Sequence, residues 1–140
     1  MFKLHPTLAA DTFQLGSLTV CQVLLMNDSR YPWLILVPQL QSDKGEDLRD
    51  LHQLPEIEST LVWQEIREVS HALEGIAQPL KLNVAALGNM VPQLHIHIIA
   101  RNEGDAAWPG PVWGVGEAVS YENVEKTQFI QRLATQLDLN

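Results

Sequence analysis

From Gln93 to Ile98 the chain reads QLHIHI, polar and aliphatic residues alternating one by one, and these six positions hold the most reactive side chains of its 140 residues. Successive side chains of a β-strand point to opposite faces, so Gln93, His95 and His97 share one face while Leu94, Ile96 and Ile98 share the other. The aliphatic face suits a core. The other face sets two imidazoles and a carboxamide about 6.5–7 Å apart along the strand, so that one phosphate-sized group can touch neighbours on the row. A neutral imidazole can attack an electrophile, carry a proton or ligate a metal.

Three readings compete on these residues alone. A single histidine on a strand is commonly a satisfied structural residue. Two on one face beside a Gln, in a strand otherwise made of Leu and Ile, point to a functional row. The third reading is a metal pair, but zinc needs at least one more ligand, and His5, His52, His71 and Cys21 stand in no recognisable ligand spacing.

Read with the GNM before it, VPQLHIHII resembles the signature of the histidine triad (HIT) superfamily of nucleotide hydrolases and transferases, and its form is most similar to bacterial proteins described as diadenosine tetraphosphate hydrolase-like. The resemblance implies that His95, in the middle position, attacks the α-phosphate of a nucleotide, and that His97, in the third, donates to a phosphate oxygen. Gln93 stands where the family has its first histidine. A carboxamide can orient and hydrogen-bond but carries no proton at neutral pH. The same resemblance implies a ribose contact for Asn27, a ribose or phosphate contact for Asn83, and phosphate contacts at Asn89 and Met90, where the family often has Gln and then Ser or Thr. Met90 has no O–H, which leaves only its backbone N–H.

The expected activity is therefore cleavage of a dinucleoside polyphosphate through a nucleotidyl-histidine intermediate, because ATP or ADP departs with little protonation and an amine does not. Phosphoramidate hydrolysis, and nucleotide binding with little turnover, are the alternatives. This route requires no cofactor, although Mg²⁺ can accompany the polyphosphate. A homodimer is implied as well.

Composition narrows the partners. Hydrophobic residues make up 46% and charged residues 19%, the balance of a globular domain, and one domain over 1–140 is the simplest division. The net charge of −8 and the lack of a Lys/Arg cluster argue against long nucleic acid. A small phosphorylated ligand can still be met locally, with Arg30 and Arg101 as candidates by position. The N-terminus does not read as a signal peptide and no uncharged apolar run reaches a membrane span, so a cytoplasmic protein is expected. Cys21, the single cysteine, lies in the apolar run LTVCQVLLM and reads as a core side chain.

The remaining stretches must position the histidine row. Residues 5–12 read as a turn or short helix, FQLGSL and LTVCQVLLMN as two strands, and WLILVPQ as a third after the turn cluster Asn27–Arg30. A short helical piece is expected at Glu46–Leu51. Pro55 then opens a long amphipathic helix whose stripe is Ile57, Leu61, Val62, Ile66, Val69 and Leu73, ended by Gly75, Gln78 and Pro79; Glu65 falls inside the stripe and Glu58 near it, so at least one of them is expected to be partnered or to lie at the helix margin. LKLNVAAL is the next strand. After Arg101 comes a loop dense in Gly, Pro and Trp, suited either to covering a substrate with Trp108 and Trp113 or to plugging one end of the sheet. Ser120 caps a closing helix through Val124, Ile130, Leu133 and Leu137. The architecture expected is α+β and HIT-like: an antiparallel sheet of about five strands, one long packed helix, and a C-terminal helix within 102–140.

Overall fold

In the computed structural model, which describes residues 1–140, the chain runs through α1 (Pro6–Asp11), β1 (Thr12–Ser17), β2 (Cys21–Met26), β3 (Trp33–Pro38), α2 (Glu56–Ala77), β4 (Lys81–Ala85), β5 (Ile96–Arg101) and α3 (Asn123–Ala134). The five strands form one antiparallel sheet in the order β1-β2-β3-β5-β4. No helix is long and apolar enough to cross a membrane.

Both faces of the central strands are covered, which explains why WLILVP is apolar at every position and buried throughout. On one face Val23, Leu25, Leu34, Leu36, Ile96 and Ile98 pack against Val62, Ile66, Val69 and Leu73 of α2. The other face, with Leu24, Trp33, Ile35 and Ile99, is covered by Leu8 of α1 and by Val112 and Trp113 of the long C-terminal loop. Each such side chain removed from water contributes about 1.5–3 kcal/mol. The loop and the N-terminal segment thus form a third layer, on the face that carries the histidines.

Several boundaries differ from expectation. Gly75 lies inside α2, where its missing side chain leaves room for Gln136, and the helix ends instead at Gln78 in the left-handed conformation (φ 47°). Pro55 is the residue before the helix rather than its first. The piece expected at Glu46–Leu51 is a single 3-10 turn at Leu51–Gln53, held by reciprocal Asp50 and Gln53 capping. Glu122, not Ser120, precedes α3, and Val124 is 67% exposed, so only Leu133 and, beyond the helix, Leu137 of the expected stripe are fully buried. Ile57 is likewise exposed. The triad strand also starts later: regular pairing begins at Ile96, leaving Gln93 and His95 in the run-in.

Two contacts fix the β1–β2 end of the sheet to the C-terminal segment and to α2. Gly16 adopts φ 145°, and the C-terminal residue Asn140 pairs with Ser17 so closely that a Cβ on Gly16 would meet Asn140 O at 2.8 Å. Glu65 finds its partners in the backbone: its buried carboxylate accepts from Val20 N–H at 2.9 Å and Cys21 N–H at 2.8 Å. That carboxylate and burial together push the Cys21 thiol pKa far up, and keep the thiol inert.

Glu65→Ala leaves two buried N–H donors unpaired and is expected to cost about 2–4 kcal/mol in urea unfolding. Glu65→Gln, which keeps one carbonyl acceptor, is expected to lose about half of that.

Candidate functional site

His97 is the most constrained side chain on the histidine face. The Trp33 indole N–H donates to its Nδ1 at 3.0 Å, and its Nε2 lies 3.0 Å from Leu87 O. Indole N–H is only a donor and a carbonyl only an acceptor, so His97 is neutral with its proton on Nε2. Trp113 closes over it, with ring centroids 5.0 Å apart. Burial, then the nearby His95 charge, push its pKa down to about 4, against the smaller opposing effect of Leu87 O. Both ring nitrogens are occupied, which corrects the expectation that His97 donates to a phosphate oxygen: it is a packed, neutral wall of the site.

His95 is its neighbour, with ring centroids 4.9 Å apart. Its Nδ1 stands 2.7 Å from Gln93 O, an acceptor two residues back on its own segment rather than on a neighbouring strand. That contact places the proton on Nδ1 and leaves Nε2 with a lone pair. Burial lowers the His95 pKa, partly offset by the bond to Gln93 O, with the charge of His5 lowering it further. Gly88 makes the ring position available: a Cβ there would stand 2.7 Å from His95 Cε1 and from Val91 O. In front of the ring is a cavity of about 80 Å³ walled by Gly88, Asn89, Gln93, Arg49 and Asp50. Sites for drug-sized ligands run from about 300 Å³ upward, so this space is too small for a whole nucleotide.

The Gln93 carboxamide does not face the cavity with a free donor. Its Oε1 accepts from His5 N–H and its Nε2 donates to Lys3 O, both at 2.9 Å, much as a backbone peptide would in a ladder. Gln93 therefore ties the N-terminal segment across the face. Beyond it a groove of about 1210 Å³ runs between that segment and residues 41–55, and Gln93 and Arg49 line both spaces.

The other residues expected at the site are dispersed. Asn27 accepts from Tyr121 N–H at 2.9 Å, and Asn83 accepts from Arg101 Nη1 at 2.8 Å. Arg101 is fully buried; it forks onto Asp105, donates to Gly110 O and stacks over Tyr31 and Trp108. Its guanidinium holds the Asp105 carboxyl down at about 2. Arg30 clasps Asp28 and Val115 O, and the same pair holds the Asp28 pKa down. Neither arginine is free for phosphate. Both hold the loop after Arg101, so Trp113 covers His97 while Trp108 serves the Arg101 clasp. Asn89 lines the His95 cavity; Met90 does not, and its side chain is 94% exposed. No three His, Cys, Asp or Glu side chains converge to hold a metal ion.

Four residues of the site went unnoticed in the sequence reading: Trp33, Arg49, His5 and Gly88. Gly88 was legible as a turn glycine; the other three reach the histidines only through pairing of distant segments.

The model of the HIT domain family matches residues 8–104. A histidine triad protein from Bradyrhizobium japonicum is 44% identical over 96% of this chain and 97% of its own, with a TM-score of 0.91. Another from Marinobacter aquaeolei is 43% identical over 99% and 97%, with a TM-score of 0.92. A third, from Sinorhizobium meliloti, is 41% identical over 97% of each chain, with a TM-score of 0.90. A histidine triad nucleotide-binding protein from Sulfolobus tokodaii, at 12% identity and TM-score 0.64, shares the fold alone. None of the curated proteins matches the sequence.

The neutral state of His97 predicts a pH dependence of stability. Its folded pKa of about 4 lies below the ordinary 6.5, so the unfolded chain binds more protons between those values. Stability is full above pH 6.5 and is lost as the pH falls towards 4, by about 3 kcal/mol for this one group. Urea unfolding at pH 7 and pH 4.5 is expected to show a clearly smaller difference in His97→Gln than in the wild type.

Proposed function

This chain belongs to the HIT domain family, and from that premise we propose that it hydrolyses a dinucleoside polyphosphate or related nucleotide conjugate at the α-phosphate through His95. The observation that carries the reading is the His95–Gln93 O contact, which leaves Nε2 with a lone pair on a ring that lines the small cavity. In the first step Nε2 forms a bond to the α-phosphorus, and the bridging P–O bond breaks with its electron pair leaving on oxygen. In the second step water attacks the same phosphorus, the P–N bond breaks, and the imidazole is restored while the water's proton passes to solvent. Dividing one displacement into two is the gain of covalent catalysis.

His97 and Gln93 support the nucleophile in different ways. His97, fixed neutral by Trp33, spares His95 a neighbouring positive charge. Gln93 supplies the carbonyl that holds the Nδ1 proton. Asn89 is the side chain of the turn that stands ready for a phosphate oxygen. The polyphosphate brings any Mg²⁺ as its own counter-ion.

The nucleoside half fits the aromatic side of the face, towards Trp33 and Trp113, and reaches it when the C-terminal loop lifts. Ligand sites for whole nucleotides need about 300 Å³ or more, well beyond the present cavity. A closed loop equally favours the second reading, a nucleotide-binding module with little turnover. A homodimer fits the open edge of β4 together with exposed Trp63, Leu80, Val84 and Leu87, which would bury one another across two copies.

Wild-type protein is expected to release AMP and ATP from diadenosine tetraphosphate in the presence of a zinc-selective chelator, and His95→Asn is expected to lose about 10⁴-fold or more. Since the lowered His95 pKa keeps the ring neutral at pH 7, kcat/KM should be flat at neutral pH and fall only below the ordinary histidine range. Binding without product formation would leave the second reading standing. In either case nucleotide should change the Trp fluorescence, and Trp113→Phe should diminish that change.

A further inference from the structure

The family's first histidine has no counterpart in this fold, since Gln93 spends both ends of its carboxamide on Lys3 and His5. Some other group has to meet charge on the departing oxygen. Of the five arginines, Arg30, Arg101 and Arg132 are bonded to Asp28, Asp105 and Ile76 O respectively. Arg67 lies exposed on α2. Arg49 is exposed as well and its guanidinium makes no hydrogen bond or ion pair, but it alone of the five walls the cavity that His95 lines, and its backbone N–H is held by Gln53 Oε1 at 2.8 Å.

The position of Arg49 is fixed by local pairing. Leu94 N–H donates to Leu48 O at 2.7 Å, which sets residue 49 beside the run-in to the triad strand. Beyond the His95 ring, Trp33, His97 and Trp113 pack against one another, and none of the three lines the cavity. Arg49 and Gln93 line both the cavity and the groove, so a group leaving His95 without disturbing the loop passes between them.

Resting on the hydrolase reading above, we propose that Arg49 holds the phosphate of the leaving group and that the groove takes the rest of it. As the His95 Nε2–P bond forms, the bridging P–O bond breaks and its electron pair stays on the departing phosphate, whose developing charge the guanidinium meets with two parallel N–H donors. No proton has to be delivered. The groove also fixes the class of the leaving group. Asp43, Glu46 and Asp47 lie on the same wall as Arg49, and Lys3 is the other fixed cation, so further anionic charge is opposed. Ser42 and Gln53 face the space with few apolar neighbours. One phosphate followed by an uncharged, hydroxyl-bearing group matches that lining, so among the nucleotide conjugates of the hydrolase reading such a leaving group is expected to be preferred over the ATP of diadenosine tetraphosphate.

The test compares ADP-ribose, whose leaving half is a sugar phosphate, with the p-nitrophenyl ester of AMP, whose leaving group has no phosphate. Arg49→Ala is expected to lower kcat/KM for ADP-ribose by about 100-fold, and the ratio of the two specificity constants at least about tenfold. Arg49→Lys should recover part of the ratio through charge without the planar fork. Arg67→Ala serves as the surface control. Equal losses on both substrates, or none, would overturn the assignment. Turnover of diadenosine tetraphosphate but of neither substrate overturns the assigned class of leaving group; if the wild type turns over none of the three, the hydrolase reading fails, and calorimetry then decides Arg49 separately. ADP binding more tightly than AMP, with that advantage lost in Arg49→Ala, supports a phosphate contact; an advantage that is absent or survives the substitution overturns it.

Discussion

The hydrogen bond from the Trp33 indole to His97 Nδ1 is the constraint on which the histidine face depends. Because an indole can only donate, it fixes one tautomer and a neutral state, and the second ring nitrogen must then turn to Leu87 O. A neutral His97 lets two imidazoles pack 4.9 Å apart without charge repulsion. It also closes the site on one side, since both Trp33 and Trp113 pack on the ring. His95 thus stands beside a neutral neighbour that itself has no free nitrogen.

Two arginine clasps and one carboxamide hold the covering layer in place. Arg101 with Asp105 and Arg30 with Asp28 fasten the C-terminal loop, while Gln93 fastens the N-terminal segment. These are partly buried, multiply hydrogen-bonded contacts, stronger than isolated surface pairs. They explain why residues with the chemistry to bind phosphate or ribose, Arg30, Arg101, Asn27 and Asn83 among them, are occupied within the chain. The groups left over, on His95, Asn89 and Arg49, line one small cavity beside the triad strand.

Much of the fold was legible because its signals are local. The alternation in QLHIHI assigned Leu94, Ile96 and Ile98 to the core and His95 and His97 to the other face, and both placements hold. The apolar stripe of α2 and the strands β1 to β4 were read within a few residues. The position of Glu65 within the stripe left a partner or a place at the helix margin equally open; that it binds the N–H groups of Val20 and Cys21 at the start of β2 is not legible, since that pairing spans 44 residues or more. Gly75 misled because a glycine that ends helices elsewhere here makes room for Gln136.

The sequence by itself determined the histidine row, the sheet and the identity of the helix that backs it, because side-chain periodicity and the motif spacing are properties of short stretches. Tertiary structure alone decided which polar groups remain free. Hydrogen-bonding capacity is finite, and whether Gln93, His97 or Arg101 spends it inside the chain depends on segments 60 to 90 residues away or on a loop with no periodic signal. Arg49 stands out only after those debts are settled, since its distinction is the absence of a partner beside His95.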